Sequence, residues 1–251
     1  MYSAWRLDSA QRRVGLCPRP HGVTHPTRVP PPNATSPRPA DNPRSLSSAS
    51  LLATTAGMLD AAVYLEHGHV FANSMTGNMV LLGISALSRD WLQTVRHITP
   101  FAGFFAGVIA SKLTRSQLGD DSGLVGLAIE MVTLFLVSWL PHGFPQMAFT
   151  ALIAFVCAYQ VASFRRVGQF SYNSTFVTGN LLDAAEGLYD GLTRYAVRRK
   201  AFAKARDLGL ISLCFLGGAI VGGVAAPRLH DYAFWLPEPL LLIVLLSLWR
   251  R

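Results

Sequence analysis

The sequence predicts an all-α, polytopic membrane protein of about eight transmembrane helices in two internal repeats, preceded by a disordered tail. Three observations carry this. The 251 residues are 51% hydrophobic and only 14% charged, with a mean hydropathy of +0.32, too apolar for an ordinary water-soluble domain. From Ser45 onward, apolar stretches alternate with short polar breaks. The triplet Thr-Gly-Asn then stands twice inside apolar sequence, in "FANSMTGNMVLLG" (Phe71 to Gly83) and "NSTFVTGNLLDAA" (Asn173 to Ala185).

Residues 1–44 come first in the chain. They hold nine of its 15 prolines and show no apolar period, so this segment is expected to be disordered. It lacks a continuous apolar run ahead of a small-residue cleavage site and does not read as a signal peptide. Its Arg, Pro, Ala, Ser and Thr bias suggests a native start between Val29 and Leu51, and Asn33-Ala34-Thr35 matches a glycosylation triplet that is common by chance.

The expected helices are 45–65, 71–88, 95–113, 123–140, 146–164, 172–190, 207–226 and 234–249, each near the length that crosses about 30 Å of hydrocarbon. Net charge is +8, of which +5 belongs to the first 50 residues, where seven Arg face two acids. The remaining basic residues cluster between apolar stretches, as in "RYAVRRKAFAKAR" (Arg194 to Arg206), without the aromatic platform that stacks bases. This excludes nucleic acid as a partner and fits cytoplasmic loops. Eight spans with the N-terminus inside put Arg38, Arg44, Arg89, Arg96, the Arg194 to Arg206 cluster, Arg250 and Arg251 on the inner side. Lys112, Arg115, Arg165, Arg166 and Arg228 fall outside. Both termini are therefore expected in the cytoplasm of a bacterial inner membrane, with Arg165 and Arg166 against the bias.

The three cysteines form no disulfide framework or metal set; Cys157 and Cys214 read as small packing residues. His67 and His69 flank Gly68 near Glu66 and read as solvated loop histidines, not ligands. No metal or cofactor is expected.

Internal similarity divides the membrane region into repeats 45–141 and 145–250. "GMLDAAVYLEHG" (Gly57 to Gly68) aligns with "CAYQVASFRRVG" (Cys157 to Gly168), matching Asp60 to Gln160. The triplets follow, and "GFFAG" (Gly103 to Gly107) aligns with "GAIVG" (Gly218 to Gly222). Four spans per repeat make the halves parallel; triplet segments that fail to cross would leave three spans each and invert them. The ordered set of Asp60, Met75-Thr76-Gly77-Asn78, Gln160, Phe164-Arg165-Arg166 and Thr178-Gly179-Asn180 resembles the YoaK-type family of bacterial integral membrane proteins, a family of unknown function. The resemblance covers about Leu51 to Leu248. It implies a multi-pass membrane protein with no established substrate or reaction. Gln160-Val161-Ala162 departs from it, since members often read Gln-Asn-Ala there.

A carboxylate inside the bilayer costs about 2.5–3.5 kcal/mol on insertion scales, so Asp60 and Glu130 are expected to face a protein interior and to be candidates for a solute or proton site. In each triplet, Gly77 and Gly179 permit close approach, Thr76 and Thr178 can cap helices, and Asn78 and Asn180 supply donors and acceptors. With Gln160 these residues form the expected polar centre. The alternative is that they only lock helices together. Gly103, Gly107, Gly218 and Gly222 read as helix-packing positions. Asp183 and Glu186 are expected to pair with the Arg194 to Arg206 loop. Glu66 is expected to pair with Arg165 and Arg166 at the outer face.

No metalloprotease, nucleophile-elbow, Walker or dinucleotide signature occurs, so no enzyme is expected. The sequence therefore reads as a small-solute or ion permease whose partners are the bilayer and a small solute or proton. A non-transporting, structural or partner-binding membrane protein is the alternative.

Overall fold

The computed structural model describes residues 45–141, 144–167 and 170–249. The expectations for the 1–44 tail and for Arg250 and Arg251 lie outside the described residues. Among the described residues there are eight α-helices: α1 (Leu46–Glu66), α2 (Met75–Leu87), α3 (Trp91–Leu118), α4 (Ser122–Val137), α5 (Gln146–Ser163), α6 (Val177–Thr193), α7 (Arg198–Leu229) and α8 (Glu238–Trp249). A two-residue hairpin, β1 (Arg166–Val167) with β2 (Phe170–Ser171), pairs antiparallel between α5 and α6. Among the described residues, three helical stretches are long and apolar enough to cross a membrane: Leu46–Glu66, Gln146–Ser163 and Tyr195–Trp249.

Glycines set which helices meet. A Cβ on Gly218 or Gly222 of α7 would stand 2.0 or 2.4 Å from the carbonyl oxygens of Thr54 or Met58 on α1. A Cβ on Gly103 or Gly107 of α3 would stand 2.1 or 2.2 Å from those of Ala151 or Phe155 on α5. Backbones thus touch along two seams, the close crossing that small-xxx-small spacing permits. Positions rise together along both, so α1 runs parallel to α7 and α3 parallel to α5. Leu59, Val63, Leu127, Leu134, Ile153 and Phe234 fill the core between the seams.

Chain direction follows from contacts at the helix ends. His67, just past α1, stacks on Phe149 near the start of α5, ring centroids 3.7 Å apart. The Gln93 amide, near the start of α3, donates to the Gly68 carbonyl at 2.6 Å. Both α3 and α5 therefore begin where α1 ends. At the other end of the bundle, Tyr159 of α5 donates to the Ser122 carbonyl at 3.4 Å, and Ser48 of α1 meets Ser247 of α8 at 3.4 Å.

The expectation of eight crossing helices fails at α2 and α6. After α1 the chain turns back inward: the Asn73 N–H donates to the Asp60 carboxylate at 2.7 Å, about 9 Å below the end of α1 at 1.5 Å per residue. From that depth α2 returns to the end it came from, where Thr94 of α3 bonds Ser85 of α2 at 3.2 Å. α6 does the same from the opposite end. It starts beside Phe215 at mid-α7 and returns to the beginning of α7, where Gly187 faces Ala201 and Gly191 faces Phe202. α5 opposes α1, the direction that goes with the inverted alternative for 45–141 and 145–250.

Two outcomes test this geometry. In a variant lacking the native cysteines, Cys placed at His69 and at Ser88 is expected to react with an impermeant maleimide from the same membrane side; labelling from opposite sides requires a crossing α2. Gly218→Ala is expected to lower the melting temperature sharply, since overpacking a tight seam costs about 1–3 kcal/mol or more.

Candidate functional site

The N-termini of α2 and α6, entering from opposite ends, meet around a cavity of about 530 Å³. Asn73, Ser74, Thr76 and Gly77 line it from one side, and Asn173, Thr175 and Thr178 from the other. Phe101, Phe104, Phe105, Phe176 and Phe215 form most of the apolar wall, and among the described residues no charged side chain lines it. Neither helix carries a side-chain cap on its first turn, although such turns have orphan N–H donors. Ser74, which occupies the cap position of α2, instead donates its hydroxyl to Asp60 at 2.5 Å.

Each member of the triplet has a separate task, and the two copies match. Asn78 accepts from the Phe71 N–H at 2.8 Å and donates to the Phe71 carbonyl at 2.7 Å. Asn180 accepts from the Asn173 N–H at 3.2 Å and donates to the Asn173 carbonyl at 2.7 Å. Both Asn side chains are buried and clamp the entering loop, satisfying backbone that has no water to bond. Gly77 seats the Phe71 ring, where a Cβ would come within 2.9 Å, and Gly179 seats the Phe176 ring at 2.8 Å. Thr76 and Thr178 are exposed to the cavity. Only the threonines of the expected set thus offer their side chains to a solute.

Asp60 is buried one layer behind the wall, its two oxygens taken by the Asn73 N–H and the Ser74 hydroxyl. Gln160 is elsewhere, donating its amide to Glu130 at 2.8 Å in the core. Gln160 therefore stands apart from Asp60 and does not join the expected polar centre. The residues that sequence reasoning missed are the phenylalanines of the wall, whose signal is their placement near the triplets and glycine seams.

The expected pairing of Glu66 with Arg165 does not form. Glu66 meets His230 at 3.1 Å and His67 meets Asp231 at 3.3 Å, while Arg165 follows α5 at the other end of the bundle. The Arg166 side chain lies outside the described residues. Burial pushes the His67 imidazole below its usual range, and the Asp231 and Glu66 carboxylates push back. Asp183 and Glu186 do meet the basic segment, at Lys204, at 2.6 and 3.6 Å. Among the described residues no group of His, Cys, Asp and Glu converges as a metal site.

A family model described as "Protein of unknown function (DUF1275)" matches residues 48–247. The chain belongs to the DUF1275 family. One similar relative is the UPF0700 transmembrane protein YoaK of Bacillus subtilis (strain 168), 29% identical over 208 residues, covering 79% of this chain and 91% of that one. No solved structure matches. As a DUF1275 member with apolar spans and a transmembrane relative, the protein is an integral membrane protein.

The clamps predict a stability effect for this member of DUF1275. Asn78→Ala or Asn180→Ala leaves a buried N–H and carbonyl unpaired and is expected to cost about 2 kcal/mol or more, read as a lower melting temperature in detergent.

Proposed function

We propose that this DUF1275 protein is a small-solute permease built from two inverted halves, 45–141 and 145–250, each with three crossing helices and one half-helix, and that its solute binds between the half-helix N-termini. The pairing scheme supports the inverted reading. α1 packs on α7 as α5 packs on α3, α2 packs on α3 as α6 packs on α7, and α4 packs on α8. Broken helices whose N-termini meet near the bilayer midplane at a repeat interface are a recurrent way to build a transport site.

Charge supports the same topology. Lys112, Arg115, Arg165, Arg166 and the Arg194 to Arg206 cluster belong to the end where α1 starts; Arg89, Arg96 and Arg228 belong to the other. Arg165 and Arg166 cease to be exceptions, and a cytoplasmic location for the α1 start and α8 end follows from the positive-inside bias.

The single observation that carries the function is the cavity with its uncapped helix starts and its Thr76 and Thr178 hydroxyls. Orphan N–H groups and hydroxyls favour a solute that presents acceptor oxygens, and the phenylalanine wall favours an apolar body. Asp60, held behind Ser74, and Glu130 are the candidate coupling-proton sites. The structural alternative accounts for Asn78, Asn180, Gly77 and Gly179 but leaves the threonines and the cavity without a role. Catalysis is not assigned, because the cavity wall has no nucleophile paired with a base among the described residues.

A thermal-shift screen of the purified protein against metabolites and ions is expected to find a stabilising solute. Thr76→Val with Thr178→Val is expected to abolish that stabilisation, and flux in proteoliposomes, while leaving the solute-free melting temperature near wild type. A double variant that melts early, together with a screen that finds no solute-specific stabilisation of the wild type, supports the structural reading.

A further inference from the structure

The two half-helices differ at the position that caps a helix. Ser74 occupies it in α2 and Phe176 in α6, each four residues before the clamping Asn78 or Asn180. A phenylalanine ring has no oxygen to offer, so the first turn of α6 stays uncapped. A serine there ordinarily accepts from the second or third N–H of its helix. In α2 those groups belong to Thr76 and Gly77, which line the cavity. Their neighbours are satisfied: the Met75 N–H donates to the Asn73 carbonyl at 2.9 Å, and the Asn78 N–H to the Ser74 carbonyl at 3.1 Å. Among the described residues nothing accepts from the N–H of Thr76 or Gly77.

What draws Ser74 away is Asp60. The hydroxyl donates to Oδ2 at 2.5 Å while the Asn73 N–H holds Oδ1 at 2.7 Å. A hydrogen bond to a carboxylate is roughly twice as strong as one between neutral groups, so the anion outbids the helix for the hydroxyl. Cys157 of α5 is the titratable side chain that faces Asp60 from a neighbouring helix. Among the described residues α7, α8 and the α2 segment bring no charged group to it. Its charge is answered by donors of this one loop.

We propose that Asp60 is a positioning residue for the solute site and acts through Ser74. As an anion it holds the hydroxyl off the first turn of α2 and leaves the Thr76 and Gly77 N–H groups to an acceptor oxygen of the solute. On protonation it releases the hydroxyl, which turns about its side-chain torsion to cap them. The proton comes from water and adds at Oδ2, while Oδ1 keeps the Asn73 N–H and the loop stays in place. Proton and solute thus exclude each other at α2, the logic of an exchanger and not of a symporter. This rests on the permease reading for its purpose, although the switch itself requires no solute.

Hydrogen exchange of single amides, read by NMR on protein with nitrogen-labelled glycine in lipid nanodiscs, tests it. The quantity is the Gly77 rate divided by the Gly179 rate in the same sample, which cancels the intrinsic pH dependence. Asp60→Asn, a neutral isostere, is expected to lower this ratio about fivefold, the scale of a side-chain cap. Adding Ser74→Ala to it is expected to restore the wild-type ratio. Acidification is expected to lower the ratio in the wild type and to leave it unchanged in Ser74→Ala. A ratio indifferent to Asp60→Asn, or one that falls equally in the double variant, overturns the switch. Where Asp60→Asn does not fold, the acidification pair decides, and an equal response of wild type and Ser74→Ala overturns it. Solute-dependent stabilisation separates the two ideas: its presence beside an indifferent ratio leaves the permease standing without this switch, and a responsive ratio in a protein that no solute stabilises leaves the switch without a transporter.

Discussion

Every backbone N–H and carbonyl inside a bilayer has to be paired within the protein, and in the proposed topology two helices start at mid-depth. The constraint decides the structure around the centre. Asp60 takes the Asn73 N–H, Asn78 pairs both polar groups of Phe71, and Asn180 pairs both of Asn173. Polar residues that look misplaced in apolar sequence are the ones that let the chain turn back. A re-entrant loop without them leaves several buried groups unpaired, at about 1–3 kcal/mol each.

The turns need a rigid frame, and the two glycine seams supply it. Where backbone carbonyls of α1 and α5 touch Gly218 and Gly103, no side chain intervenes, and α1 is fixed to α7 as α5 is to α3. The exchange ties the halves together outside the centre and leaves the half-helices packed chiefly on one neighbour each. The proposed inverted arrangement would present the same local design to each membrane face, with the cavity between the half-helices at equal depth from both.

Much of this was legible in the sequence. Helix positions follow from apolar runs and polar breaks, and the twin Thr-Gly-Asn marks the centre. What periodicity does not disclose is whether an apolar run crosses or returns: Met75 to Leu87 is as hydrophobic as a span and differs only in length and in where Asp60 holds its entrance. Under the proposed topology that one ambiguity inverts the second half and moves Arg165 and Arg166 to the other side. Asp60 and Gln160 do not meet because one holds the Asn73 N–H and Ser74 hydroxyl and the other bonds Glu130 in the core, a separation no alignment of polar side chains discloses. The wall of phenylalanines was invisible because apolar residues in an apolar chain carry no signal until the fold brings them together.

The central claim is that Thr76 and Thr178 approach each other at the bilayer midplane from opposite faces. Nitroxide labels on cysteines at these two positions, in a background lacking the native cysteines and reconstituted in lipid, measure it by spin resonance. The account predicts that both labels report equal depth near the bilayer centre and lie in mutual contact range. Labels found at opposite membrane surfaces, or one at the centre and one in the headgroups, contradict it.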